Sequence, residues 1–154
     1  MTSKNAAESG DVERRGSVTP DSWADAEARY DALGPTAQAV VREVARAMAF
    51  DREEYDERVT GNVVETARQA LFAETLAVRV GSRAAFDAWR ETYPDDVRVA
   101  GSDNVDRVAW HVSPAAGAAV AATFQNEPDA AVATVRRMAF NRLYRERLTT
   151  GGAE

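Results

Sequence analysis

Apolar residues recur along this chain with two periods. A helical period of about 3.6 residues governs the first half and the C-terminal end, and alternation governs the stretch between them. The first helical stretch runs from about Pro20 to Leu33, where Trp23, Ala26, Tyr30 and Leu33 make one stripe. Thr19 stands where an N-cap belongs and Pro20 fits the first turn. Gly34-Pro35 ends that helix and opens the next, in which Ala37, Val40, Val41, Val44, Ala47 and Met48 fall on one side. Asp51 to Val59 is short and charged, with Asp51 and Glu54 at capping-box spacing. A fourth helix, Asn62 to about Ala73, aligns Val63, Val64, Ala67, Ala70 and Leu71.

The period then changes. Leu76, Val78 and Val80 alternate with Ala77 and Arg79, as strand residues do. Gly81-Ser82 leads into a helix from Arg83 to Tyr93 with Phe86 and Trp89 inward, and Pro94 stops it. Val97 and Val99 flank Arg98 in a second strand; Val108, Trp110 and Val112 mark a third. Residues 118–124 read either as a fourth strand, with Val120, Ala122 and Phe124 inward, or as an alanine-rich helix. Pro128 opens a long last helix to about Leu148, with Val132, Val135, Ala139 and Leu143 as its buried stripe. The predicted class is α+β: N-terminal helices, then a small, mainly antiparallel sheet with an inserted helix and a long C-terminal helix. Alternation implies a sheet with one face wet.

Residues 1–19 hold two valines among polar residues and predict a disordered tail; residues 149–154 predict a second one. Residues 20–148 then form one globular domain, a size at which a core of its own is expected. No apolar run reaches the roughly 18 residues of a membrane span, and the N-terminus lacks a signal-peptide core. A cytoplasmic protein is the expectation.

Composition changes this picture in two respects. With no cysteine, disulfides, iron–sulfur clusters and thiolate zinc sites are excluded. Lys4 is the single lysine among 19 basic residues, and 25 acidic residues outnumber them. High-GC codon usage accounts for arginine but not for the acidic excess. A salt-rich cytoplasm adds the acidic excess, because salt screens repulsion on an acidic surface, and the two causes together are favoured. The excess lies in residues 1–77, whereas residues 78–154 are balanced.

Candidate chemistry is sparse. His111 is the only histidine, so no His-His metal pair exists and any acid–base catalysis would have to use it. With 108, 110 and 112 inward, His111 falls on the polar face beside Trp110. The carboxylates between Asp51 and Glu57 interleave with Arg52 and Arg58 and match no cation loop. Asp103, Asn104 and Asp106 fit ordinary turn chemistry. Gly81-Ser82-Arg83 lacks a phosphate-loop pattern, and Ser82 suits an N-cap. No metal or other cofactor is implied. The densest patch is on the last helix, where Arg136, Arg137, Arg142, Arg145 and Arg147 face one acid, Glu146. These arginines suit phosphates and equally suit a helix C-terminus. The helices near 35–49, 51–59 and 62–73 loosely mimic a winged helix, with Asn62, Glu65, Thr66, Arg68 and Gln69 on the reading helix.

Four segments carry a resemblance: Ala32 to Pro35, Phe50 to Thr60, Val105 to His111, and Ala121 to Gln125. Across about residues 20–148 the chain resembles a small haloarchaeal protein family of unknown function. The resemblance implies a salt-rich source and no activity. Three functions stay open: a non-enzymatic protein acting through protein contacts or as a homodimer, a nucleic-acid-binding regulator, and a hydrolase or transferase using His111. The first is favoured because catalytic constellations are missing.

Overall fold

The structure is a computed structural model and describes residues 12–150. It is an α+β fold. Strand β1 (Val12–Arg15) precedes helices α1 (Trp23–Ala32), α2 (Gly34–Ala47), α3 (Arg52–Arg58) and α4 (Gly61–Thr75). Strand β2 (Val78–Ser82), helix α5 (Arg83–Thr92) and strands β3 (Asp96–Ala100), β4 (Arg107–Ser113) and β5 (Ala118–Phe124) follow. Helix α6 (Pro128–Ala139), a π-helical segment (Phe140–Tyr144) and helix α7 (Arg145–Thr150) complete the chain. Residues 118–124 are thus a strand.

Caps place the helices. Ser22, not Thr19, caps α1 by accepting from the Asp25 N–H; Pro20 is buried ahead of it. Asp51 and Glu54 make the expected reciprocal capping box, and Ser82 caps α5 through the Ala85 N–H.

Part of the expected N-terminal tail is ordered. Val12–Arg15 pair antiparallel with β2. The chain then turns at Gly16, whose φ of 82° is left-handed and where a Cβ would lie 2.5 Å from the Leu76 carbonyl oxygen. Ser17 and Val18 donate to the Thr75 carbonyl, and Ala77 donates to that of Val18. Backbone hydrogen bonding orders what composition alone leaves unordered. Residues 1–11 and 151–154 of the expected tails lie outside the described residues, while Thr149 and Thr150 belong to α7.

The sheet order is β1-β2-β4-β5-β3. All neighbours are antiparallel except β3 and β5. Register corrects the expectation of a wet face. Trp110 pairs with Ala121 and His111 with Val120, and paired residues share a face. The apolar sets of β4 and β5 therefore point to opposite sides. On one side Val108, Trp110 and Ala121 pack with Phe86 of α5. On the other, Ala109, Val120, Ala122 and Phe124 meet α1, α4 and α6. Phe72, fully buried, centres that larger core. Its ring meets Tyr30, Phe140 and Tyr144 edge-on, with centroids 5.7, 6.0 and 5.4 Å away, contacts worth about 0.5–1.5 kcal/mol each beyond their area.

The π segment shifts the last helix's buried register by one residue. Up to Ala139 the expected residues Val132, Val135 and Ala139 are inward; beyond it Phe140, Tyr144 and Leu148 are, and Leu143 moves to a half-buried rim position. One additional residue in a turn does this. It also delivers Tyr144 to His111.

Candidate functional site

His111 does not stand on a polar surface. It is fully buried beneath Tyr144. The imidazole Nδ1–H donates to the Ala77 carbonyl over 2.7 Å, which fixes the tautomer; Nε2 then accepts from the Tyr144 hydroxyl over 2.8 Å. Ser113 is also fully buried, and its Oγ accepts from the Ala116 N–H. The result is a directional chain in which every buried group has a partner. Desolvation lowers the His111 pKa to about 4; the Ala77 hydrogen bond opposes this, and the charges of Arg79 and Arg136 add to it. Desolvation likewise raises Tyr144 to about 12. A neutral histidine with both nitrogens satisfied and no exposed atom cannot reach a substrate proton in this conformation.

Trp110, its neighbour, is buried on the opposite face against Phe86 and Trp89, and its indole N–H has no partner. The structure therefore separates Trp110 and His111 instead of joining them in one pocket.

The five arginines of the last helix are dispersed as well. Arg136 is mostly buried, donating to the Leu76 carbonyl and pairing with Glu74. Arg147 pairs with Glu27 and covers the Trp23 ring. Arg145 lies over Phe140 and donates to the Asn141 amide oxygen. Arg137 and Arg142 remain exposed, with no hydrogen bond or ion pair among the described residues.

Arg142 shares a cleft with another arginine, Arg98. A cleft of about 580 Å³ lies between the β3 edge and the π segment, lined by Asp96, Arg98, Asn141 and Arg142 over Ala118, Val120 and Leu143. Arg98 pairs with Val120, which pairs with His111, so the three form one row on the same face of the sheet. At usual strand spacing Arg98 sits roughly 10 Å from His111. Sequence reasoning missed Arg98, because nothing local links a β3 residue to the last helix.

On the helix compared with a reading helix, Arg68 is occupied. It donates to the Tyr30 carbonyl, pairs with Asp31 and Glu65, and covers the Tyr30 ring. Tyr30 in turn donates to Glu65, and burial first, then this hydrogen bond, raises its pKa. Asp51 and Glu54 are engaged in capping. Among the described residues no group of three or more His, Asp or Glu side chains converges to hold a metal, and no helix is long and apolar enough to cross a membrane.

Helix α2 departs most from its prediction. Only its small residues and Val41 are buried: Ala37, Val41 and Ala45. Val40, Val44 and Met48, spaced four apart on one stripe, are 40%, 51% and 59% exposed. Helix α4 is close enough to cover the first set but does not reach the second.

The architecture is that of a small α+β domain whose sheet is covered on both faces, whose histidine is buried with both ring nitrogens hydrogen-bonded, and whose open features include a basic cleft and an apolar helix stripe. The chain belongs to a family of unknown function, DUF5809, whose model matches residues 17–145. Comparison with curated proteins and with solved structures finds no match.

Proposed function

We propose that this protein acts through protein–protein contact, and that its first partner is a second copy of itself docked on helix α2. The stripe Val40, Val44 and Met48 carries the reading, since three large apolar side chains in line on one helix are a different matter from scattered exposed ones. The stripe itself carries no charge and is self-complementary: an antiparallel pairing about Val44 lays Val40 against Met48 of the partner copy in both directions, as a two-fold interface requires. The acidic composition and the single lysine support a salt-rich cytoplasmic setting, in which apolar contacts are strengthened and exposed ion pairs weakened.

Sedimentation velocity over a concentration series, in dilute and in molar salt, tests this. The wild-type chain is expected to self-associate more strongly in molar salt. Val44→Glu should render it monomeric, while Ala133→Glu, at an exposed position on α6, should leave association unchanged. A wild-type monomer at every concentration, or unaltered association of Val44→Glu, would sink the reading.

A further inference from the structure

We infer that the cleft between β3 and the π segment binds a small organic oxyanion, a carboxylate or a phosphate ester. Two cations converge there without a carboxylate to satisfy them. Arg98 reaches the cleft from the edge strand and Arg142 from the π segment, and neither makes an ion pair or hydrogen bond among the described residues. Elsewhere among the described residues Arg15, Arg29, Arg46, Arg68, Arg136 and Arg147 have carboxylate partners that neutralise them. Asp96 lines the same cleft, and among the described residues no ion pair joins it to either guanidinium group.

A third donor is aimed by its neighbour. Arg145 donates its Nε–H to the Asn141 amide oxygen over 3.1 Å. That contact commits the oxygen to Arg145 and leaves the amide NH₂ as the donor available to the cleft. The π segment explains why these groups coincide. The extra residue in that turn buries Tyr144 and moves Leu143 to the rim, so Asn141 and Arg142 face the sheet edge. Ala118, Val120 and Leu143 supply an apolar wall. The volume, about 580 Å³, falls within the range of small-molecule sites. Guanidinium forks match the paired oxygens of carboxylate and phosphate alike. Asp96 favours a ligand bearing a hydroxyl or amine away from its anionic head.

Calorimetric titration of the full chain with inorganic phosphate and, separately, with butyrate tests the site. The titrations are run at the lowest salt in which the chain stays folded. Phosphate binding alone assigns a phosphate head, and butyrate binding alone a carboxylate. Arg98→Ala and Arg142→Ala should each weaken the bound anion about tenfold, the loss expected for one charge-assisted contact. Arg142→Lys should recover only part of the loss, because it restores charge without the fork. Arg42→Ala removes a cation from a different cleft and should change nothing. Unfolding midpoints of the variants confirm that these exposed changes leave the fold intact. Binding of neither anion, equal binding by Arg98→Ala and wild type, or an equal loss in Arg42→Ala would overturn the assignment.

Discussion

Trp110 and His111 are consecutive residues on β4 and are equally buried, yet their polar atoms fare differently. His111 lies on the face covered by α6 and the π segment, where both ring nitrogens have partners. Trp110 lies on the face covered by α5, where its N–H has none. The first face is wide, built from four helical elements around Phe72, and can supply a hydroxyl and a carbonyl at chosen points. The second is a smaller aromatic cluster of Phe86, Trp89, Tyr93 and Trp110, with Trp89 and Tyr93 stacked at 4.7 Å. It offers ring faces and few acceptors. An unpartnered buried donor costs about 1–3 kcal/mol, whereas a satisfied one is close to neutral or better. One face is thus specified by hydrogen bonding and the other by apolar packing alone.

Acid should break the first face before the second. The folded pKa of His111, about 4, lies below its ordinary value of 6.5. The unfolded chain therefore binds a proton between those values that the folded chain does not. Stability is full above pH 6.5, falls as pH drops toward 4, and loses roughly 3 kcal/mol across that window from this group. Urea unfolding at pH 7 and pH 4 measures the drop. Because the chain has one histidine, the imidazole signal in an NMR titration is unambiguous and should not shift until about pH 4. A midpoint near 6.5 in the folded protein would remove the buried hydrogen-bond chain from the account.

Tyr144→Phe sharpens the same contrast without a pH change. The ring stays against Phe72 and Trp23, so packing is conserved. The His111 Nε2 acceptor loses its partner. A loss of about 1–3 kcal/mol is expected in urea unfolding. An unchanged midpoint would mean that the hydroxyl contributes nothing.

The sequence disclosed the elements well, because periodicity and caps are local. Asp51 with Glu54, Ser82, and the alternation around Arg98 and Trp110 each depend only on near neighbours. What it hid was relative placement. The inward sets of β4 and β5 were both legible, but the register that sends them to opposite faces was not. A one-residue slip between the strands inverts that relation. The π turn was equally hidden: a helical period carried through Ala139 predicts Leu143, and the structure buries Tyr144. For α2 the full apolar face was legible, but not that α4 would cover only half of it. Of the candidate site, the arginine patch was visible as composition. Its division into Arg136 and Arg147, consumed internally, and Arg142, which lines a cleft with Arg98, follows from tertiary structure.

Trp110→Phe tests the second face and should have the smallest effect. The substitution removes the unpartnered N–H together with one ring of the indole. Lost volume destabilises, since a cavity forms against Phe86 and Trp89. Relief of the unpaired donor stabilises by a comparable amount. The net change in urea unfolding is expected within about 1 kcal/mol of zero, well below the several kcal/mol usual for truncating a buried aromatic. A loss of the usual size would mean that the indole N–H is satisfied in solution, and the two faces would no longer differ in kind. A near-neutral result, beside a costly Tyr144→Phe, would place the polar specificity of the sheet on the side that also carries the Arg98 and Arg142 cleft. The π segment would then be the element that sets both.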